Sequence, residues 1–430
     1  MTATPSQGHL HVAGGPPPSP WVHVAKAAAA LATGMGVGRF VYTPILPLMH
    51  AQAGLSAGAG ANLATANYVG YLIGALAGTL LPALVRSTAV LRACLLALVA
   101  SLAMMPLTHT TAVWVLLRLG AGVFSALIFV IAVSSLLSHL RDHPAHLPGW
   151  AFGGVGAGIA MSGVLVLVLR TAGDWETAWW ASAALAAALT FVAWGLRPEP
   201  VAPQPASAPE SAAPERPAGP RPHRWFSALF ASYTLEGVGY IIAGTFLVAA
   251  IEQTSPGWIG SGAWVLVGLA AIPSSALWAA LGRRWSRPDL LLAALGVQAV
   301  GIALPALVGG VAAALISAAL FGATFIGVST LALAAGAHLR FPRAVALLTA
   351  GYSVGQILGP LAVTPLLHHG YHQALVLAAA VVLAAALAAF VLRFGFPHHL
   401  PTPGQPVRRS RPTAEHRLAS MDTDEARSAE

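Results

Sequence analysis

Charge is what this sequence lacks. Of its 430 residues only 8% are Asp, Glu, Lys or Arg, where a soluble domain carries roughly 25%. So few charges cannot cover a surface that faces water. There is also a single cysteine, Cys94, which excludes an intrachain disulfide; it lies inside an apolar run and reads as a packing residue. Residues 1–20 contain no Lys or Arg, so the basic start of a secretory signal peptide is missing. With their Pro-rich GGPPPSP, residues 1–21 read as a disordered cytoplasmic tail.

The signatures of common chemistry are missing too. No His-Glu-x-x-His metal motif, phosphate-binding Gly-Lys-Ser/Thr loop or paired intramembrane aspartates occur, which argues against a metalloenzyme or an ATP-driven pump. GLSAG at Gly54–Gly58 fits the nucleophile-elbow pattern, but that motif needs a strand before its serine. Here an apolar helical run precedes it, and Ser56 reads as the cap of the next helix. His368, His369 and His372 have no acidic companion and read as a solvated loop rather than a metal site. The expectation is a chain that is not an enzyme and has no cofactor and no metal.

Apolar length is what the sequence has. Hydrophobic residues make up 57% of it and the mean hydropathy is +0.72. They come in runs of about 20 residues, the length that spans a bilayer as helix. The runs centre near Phe40, Leu72, Leu98, Phe129, Ile159 and Ala186, then Ile241, Leu269, Gln298, Phe325, Leu358 and Ala385. A membrane barrel would instead show alternating segments of about ten residues. The spacing predicts an all-α membrane protein with twelve transmembrane helices.

Basic residues orient it. Alternate loops gather Arg86 and Arg92, Arg141, Arg197 to Arg224, Arg283, Arg284 and Arg287, Arg340 and Arg343, and Arg393 with the RRSRP tail. The opposite loops hold only Arg170. By the positive-inside rule both termini face the cytoplasm, with the chain multi-pass in the membrane. Basic loops against anionic lipid account for the net charge of +8, so no nucleic-acid partner is expected.

One segment breaks the pattern. Residues 198–224 form a Pro/Ala-rich linker that cannot bury a core. It separates a six-helix half at 22–197 from another at 225–393, followed by a disordered basic tail at 394–430. The halves repeat. GVGR at Gly36–Arg39 falls on GVGY at Gly237–Tyr240, and SHL at Ser138–Leu140 falls on AHL at Ala337–Leu339. GGVGAGIAMSG aligns with AGYSVGQILGP, setting Gly154, Gly158 and Ser162 opposite Gly351, Gly355 and Gly359. Small residues at every fourth position let helices approach closely. Six helices per half bring both halves in from the same side, as parallel repeats about an axis along the membrane normal.

Over residues 22–393 the chain resembles the major facilitator superfamily. GVGRFVYTPILPLM followed by LATANYVGYLIGALAG resembles its bacterial YbfB/YjiJ branch. RLGAG in the fourth run resembles the arginine motif of proton-coupled members at Arg118 and Gly122. The loop between the second and third runs keeps Gly78, Arg86 and Arg92 of the superfamily pattern without its Asp, and LGRRWSR repeats the omission at Gly282, Arg283 and Arg284. The glycine-proline motif of antiporters is displaced from the fifth run to Pro360 in the eleventh. The resemblance implies a secondary transporter that moves a small solute by alternating access.

Ionisable groups deep in the runs are the candidates for its site, since each costs at least ~2.5 kcal/mol to insert. They are Arg39, Arg118 and Glu236. Arg39 shares a helical face with Tyr42 and Thr43, and Glu236 with Tyr233 and Tyr240. Asn67 with Tyr71, and Tyr352 with Gln356, complete the expected substrate-binding set. Helices one and seven border the central cavity in the superfamily fold, so the resemblance implies that Arg39 and Glu236 approach each other. A static ion pair is the alternative role for the two. Glu236, with Arg118, is the expected proton-coupling group, because a carboxyl in a low-dielectric site can take up and release a proton as water access changes sides. Two arginines against one acid point to an anionic or polar neutral solute. Efflux is preferred on the analogy of the arginine motif; uptake and a nontransporting receptor are the alternatives. The expected partners are the small solute, protons and the lipid bilayer, with the chain a monomer.

Overall fold

The structure, a computed structural model, describes residues 19–140, 143, 147–171, 173–198, 223–339, 341–394 and 396. Nearly all of the tails and the linker expected from the sequence lie outside them. Among the described residues there is no strand. Twelve long helices follow in order: α1 (Pro20–Gln52), α2 (Ala57–Leu80), α3 (Thr88–Leu107), α4 (Thr111–His139), α5 (Leu147–Leu169) and α6 (Trp175–Ala193). After the linker come α7 (His223–Thr254), α8 (Gly257–Leu281), α9 (Arg287–Leu307), α10 (Gly310–His338), α11 (Ala344–Val363) and α12 (Tyr371–Val391). Eleven of them are long and apolar enough to cross a membrane. The exception is α6, where Trp175, Glu176, Trp179 and Trp180 lower the mean hydropathy of a 19-residue helix. It still packs along α1 and α3.

Local chemistry sets the starts. The Ser56 hydroxyl accepts from the Ala59 amide at 3.1 Å, as expected of a cap, and Asp174 accepts from Thr177 at 2.7 Å. Each satisfies an amide that the first helical turn leaves free. Outward faces stay apolar: Leu96, Val300 and Leu387 are exposed, and Phe191 is 85% exposed. Such an exterior suits hydrocarbon, not water.

The helix contacts repeat. α1 packs on α5 as α7 does on α11, α2 on α4 as α8 on α10, and α3 on α6 as α9 on α12. The register repeats as well. A Cβ on Gly122 would lie 2.0 Å from the Asn67 carbonyl oxygen, and one on Gly322 would lie 2.2 Å from that of Val267. Only glycine lets the backbones approach this closely. The two sets of six meet along α5 with α8 and α2 with α11.

α1 is not one straight helix. A wide turn at Ala32–Val37 carries the amide of Gly38 back to the Thr33 carbonyl at 2.8 Å, and regular helix resumes at Tyr42–Gln52. Gly34, Gly36 and Gly38 weaken this stretch, and Pro44 and Pro47 remove two amide donors after it. Such wide turns recur at functional sites. This one places Arg39 at the break.

Candidate functional site

Arg39 is 3% exposed. From the break in α1 its Nη2 reaches helices of the second set, donating to the Tyr240 hydroxyl of α7 at 3.5 Å and closely to Oε1 of Gln356 on α11. The rings of Tyr71 and Tyr68 on α2 lie against the guanidinium at 4.5 Å and 4.9 Å, with Phe40 at 5.3 Å. Its Nε has no hydrogen-bond partner. Among the described residues no carboxylate pairs with it.

Beside this cation stands a stack of rings. Tyr233 lies on Tyr352 at 4.3 Å, Tyr352 on Tyr240 at 5.3 Å, Tyr240 on Phe325 at 6.1 Å and Phe325 on Phe321 at 5.6 Å, all within 16° of parallel. Tyr240 belongs to both features: its hydroxyl meets Arg39 and its ring joins the stack.

Arg118 is bonded to the backbone of α1. Its Nη1 and Nη2 donate to the carbonyls of Gly38 and Arg39 at 3.2 Å and 3.1 Å, and its guanidinium lies 4.8 Å from the Tyr42 ring. Asn67 donates to the Arg118 carbonyl at 3.0 Å, and the Tyr42 hydroxyl to the Gly60 carbonyl at 2.9 Å. Arg118, Tyr42 and Asn67 thus brace the break, while Nε of Arg118 and Oδ1 of Asn67 have no hydrogen-bond partner. Thr43 donates to the Gly244 carbonyl at 2.6 Å and Tyr68 bonds Thr245 at 2.7 Å, so these two close the α1–α7 and α2–α7 seams.

Glu236 does not meet Arg39, which corrects the approach drawn from the resemblance. Its Oε1 accepts from Nε2 of Gln298 on α9 at 3.4 Å, and its Oε2 has no hydrogen-bond partner. The Tyr352 side chain adjoins the same carboxyl. Register is the reason. Arg39 is level with Tyr240, and Glu236 lies one turn away on α7, about 5–6 Å along the helix. Two stacked tyrosines separate the charges.

Tyr68, Gln298 and Phe325 were not among the sequence candidates. A glutamine at the centre of the ninth apolar run was a visible signal for Gln298, and its full burial makes it a partner of Glu236. For Tyr68 and Phe325 apolar periodicity gave no cue, since ring stacking depends on which helices face each other.

At the helix ends away from the N-terminus, two further links join the sets. Arg170 on α5 pairs with Glu252 on α7 at 3.1 Å and reaches the Ser261 hydroxyl of α8 at 3.5 Å. His50 on α1 bonds the Tyr371 hydroxyl of α12. These links tie the two sets together at those ends.

The profile of the family described as "Uncharacterised MFS-type transporter YbfB" matches residues 31–390. The chain belongs to that family. It is a multi-pass membrane transporter of the major facilitator type, as the resemblance implied. Among solved structures it is similar to the nucleoside transporter NupG at 14% identity and a TM-score of 0.65, covering 87% of this chain and 99% of that one. The D323A mutant of NupG gives 14% identity and 0.66, covering 86% and 99%. At such identity the likeness shows the fold alone. Among curated sequences none matches this chain.

Proposed function

We propose that this transporter carries a small organic anion by alternating access, coupled to protons, in the bacterial inner membrane with both termini cytoplasmic. The observation that carries the reading is Arg39: a buried guanidinium without a counter-ion, on one set of six helices, bonded to neutral groups of the other. A solute that neutralises it touches both sets, so binding and the rocking of 22–197 against 225–393 are linked. The chain works as a monomer.

Glu236 is the coupling group. Its neighbours Gln298 and Tyr352 are uncharged, so it can hold a proton or release one without breaking an ion pair. Efflux remains the preferred direction, with uptake the alternative. A polar neutral solute is the second reading; the similar folds named above are nucleoside transporters, and Gln356 and the tyrosine hydroxyls offer neutral hydrogen bonds.

Reconstitution into liposomes tests the reading. Accumulation of an organic anion driven by an imposed pH gradient supports it. Gradient-independent carriage of organic cations, without competition from anions, overturns it.

A further inference from the structure

Three features around Arg39 narrow the solute further, given the reading of Arg39 as the substrate cation. First, one guanidinium, that of Arg39, bonds the ring stack. Arg118 gives both of its Nη groups to backbone carbonyls and keeps only its Nε without a partner, and the only lysine, Lys26, stands on the first turns of α1 beside Gly195. A second carboxylate on the solute would find no second guanidinium free to take it with two N–H bonds.

Second, the direction of approach is fixed. The N–H bonds of a guanidinium lie in its plane. An acceptor must therefore come to its edge, where the Tyr240 hydroxyl and Gln356 Oε1 sit and where Nε is free. The Gln356 amide oxygen stands where a carboxylate oxygen would bind, with the geometry of a carboxylate but no charge. A carboxylate displacing it supplies the charge and can take two N–H bonds at once.

Third, the edge adjoins the ring stack. Tyr240, which marks it, is flanked by Tyr352 at 5.3 Å and Phe325 at 6.1 Å, near parallel to both. A flat ring held by its carboxylate at Arg39 reaches this stack, and aromatic pairs gain beyond the area they bury.

We propose that the central site binds a monocarboxylate with a flat aromatic body, its carboxylate at the edge of Arg39 and its ring against the Tyr240–Tyr352 stack. Gln356 is the placeholder that the carboxylate displaces.

The test is binding by the purified full chain in detergent, read as ligand-dependent thermal stabilisation and as competition. The probes are benzoate, 3-phenylpropionate, cyclohexanecarboxylate, benzamide and uridine. Benzoate or 3-phenylpropionate raises the melting temperature in a saturable way, cyclohexanecarboxylate binds about 2- to 10-fold more weakly, and benzamide and uridine fail to compete. Arg39→Gln weakens the aromatic acids by about 10- to 100-fold. Should that variant not fold, Tyr352→Leu decides: it keeps carboxylate binding and erases the preference for benzoate over cyclohexanecarboxylate. Stabilisation by benzamide or uridine equal to that by benzoate overturns the proposal. So does silence with both aromatic acids, or no preference for the aromatic ring in the native chain.

Transport is scored separately. Binding of benzoate without its passage into liposomes sinks the transport reading and leaves the site. Passage of another solute, with no binding of aromatic acids, does the reverse.

Discussion

Thr43 on α1 donates its hydroxyl to the backbone carbonyl of Gly244 on α7, 2.6 Å away and 201 positions along the chain. Arg39 and Tyr240, also 201 positions apart, meet in the same way. Each residue touches its own counterpart in the repeat. Related positions meet only on the axis that relates them, so α1 and α7 cross there. The break in α1 brings the cation to the axis, where either half can act on it.

Arg118 is predicted to act on stability more than on recognition. Arg118→Ala leaves the Gly38 and Arg39 carbonyls without these donors, each worth about 1–3 kcal/mol when buried. The expected result is a melting temperature lowered by several degrees in detergent, with Arg118→Lys recovering part of it. An unshifted melting curve would show that the break stands without this brace.

The Arg170–Glu252 pair is predicted to hold shut the ends away from the N-terminus. In a Cys94→Ser background, a Thr43→Cys reporter should react with a membrane-impermeant thiol reagent about 3- to 10-fold faster once Arg170→Gln is added, because a modest bias between two states shifts their populations by that order. Exchanging the charges, Arg170→Glu with Glu252→Arg, should restore slow labelling. Equal rates in all three chains would remove the pair from gating.

The α5–α8 seam depends on glycine. A Cβ on Gly268 would lie 2.2 Å from the Ala160 amide nitrogen, whereas Gly262 on the same helix has open space. Gly268→Ala should destabilise by about 1–3 kcal/mol through overpacking. Gly262→Ala should be neutral or slightly stabilising, since it only restricts the unfolded chain. Thermal unfolding of the two variants side by side checks both.

Glu236→Gln removes the titrating group and keeps the shape. Accumulation driven by a pH gradient should fall to the level reached without a gradient, while ligand-induced stabilisation survives. Undiminished dependence on the gradient would assign coupling elsewhere.

The bilayer made much of this fold legible. Hydrocarbon forces every backbone group to bond within its own helix, so apolar length alone marks the spans, and the glycines at 154 and 158 mark a face for close helix approach, which the structure packs on α1. Trp175–Ala193 was the weakest span because tryptophan lowers its hydropathy, although Trp175 and Trp179 are buried in the bundle and Trp180 lies on the exposed face.

By itself the sequence determined the helical spans, the repeat, the family and the rarity of Arg39, Arg118 and Glu236, because these follow from composition, period and the cost of charge in lipid. Only the tertiary structure decided their partners. It turned Arg118 onto the backbone, set two tyrosines between Arg39 and Glu236, and gave Glu236 a glutamine on α9. A side chain's partners depend on how α1 breaks and at what level α1 and α7 cross, and those are set by packing between segments about 200 residues apart, beyond the reach of any local pattern.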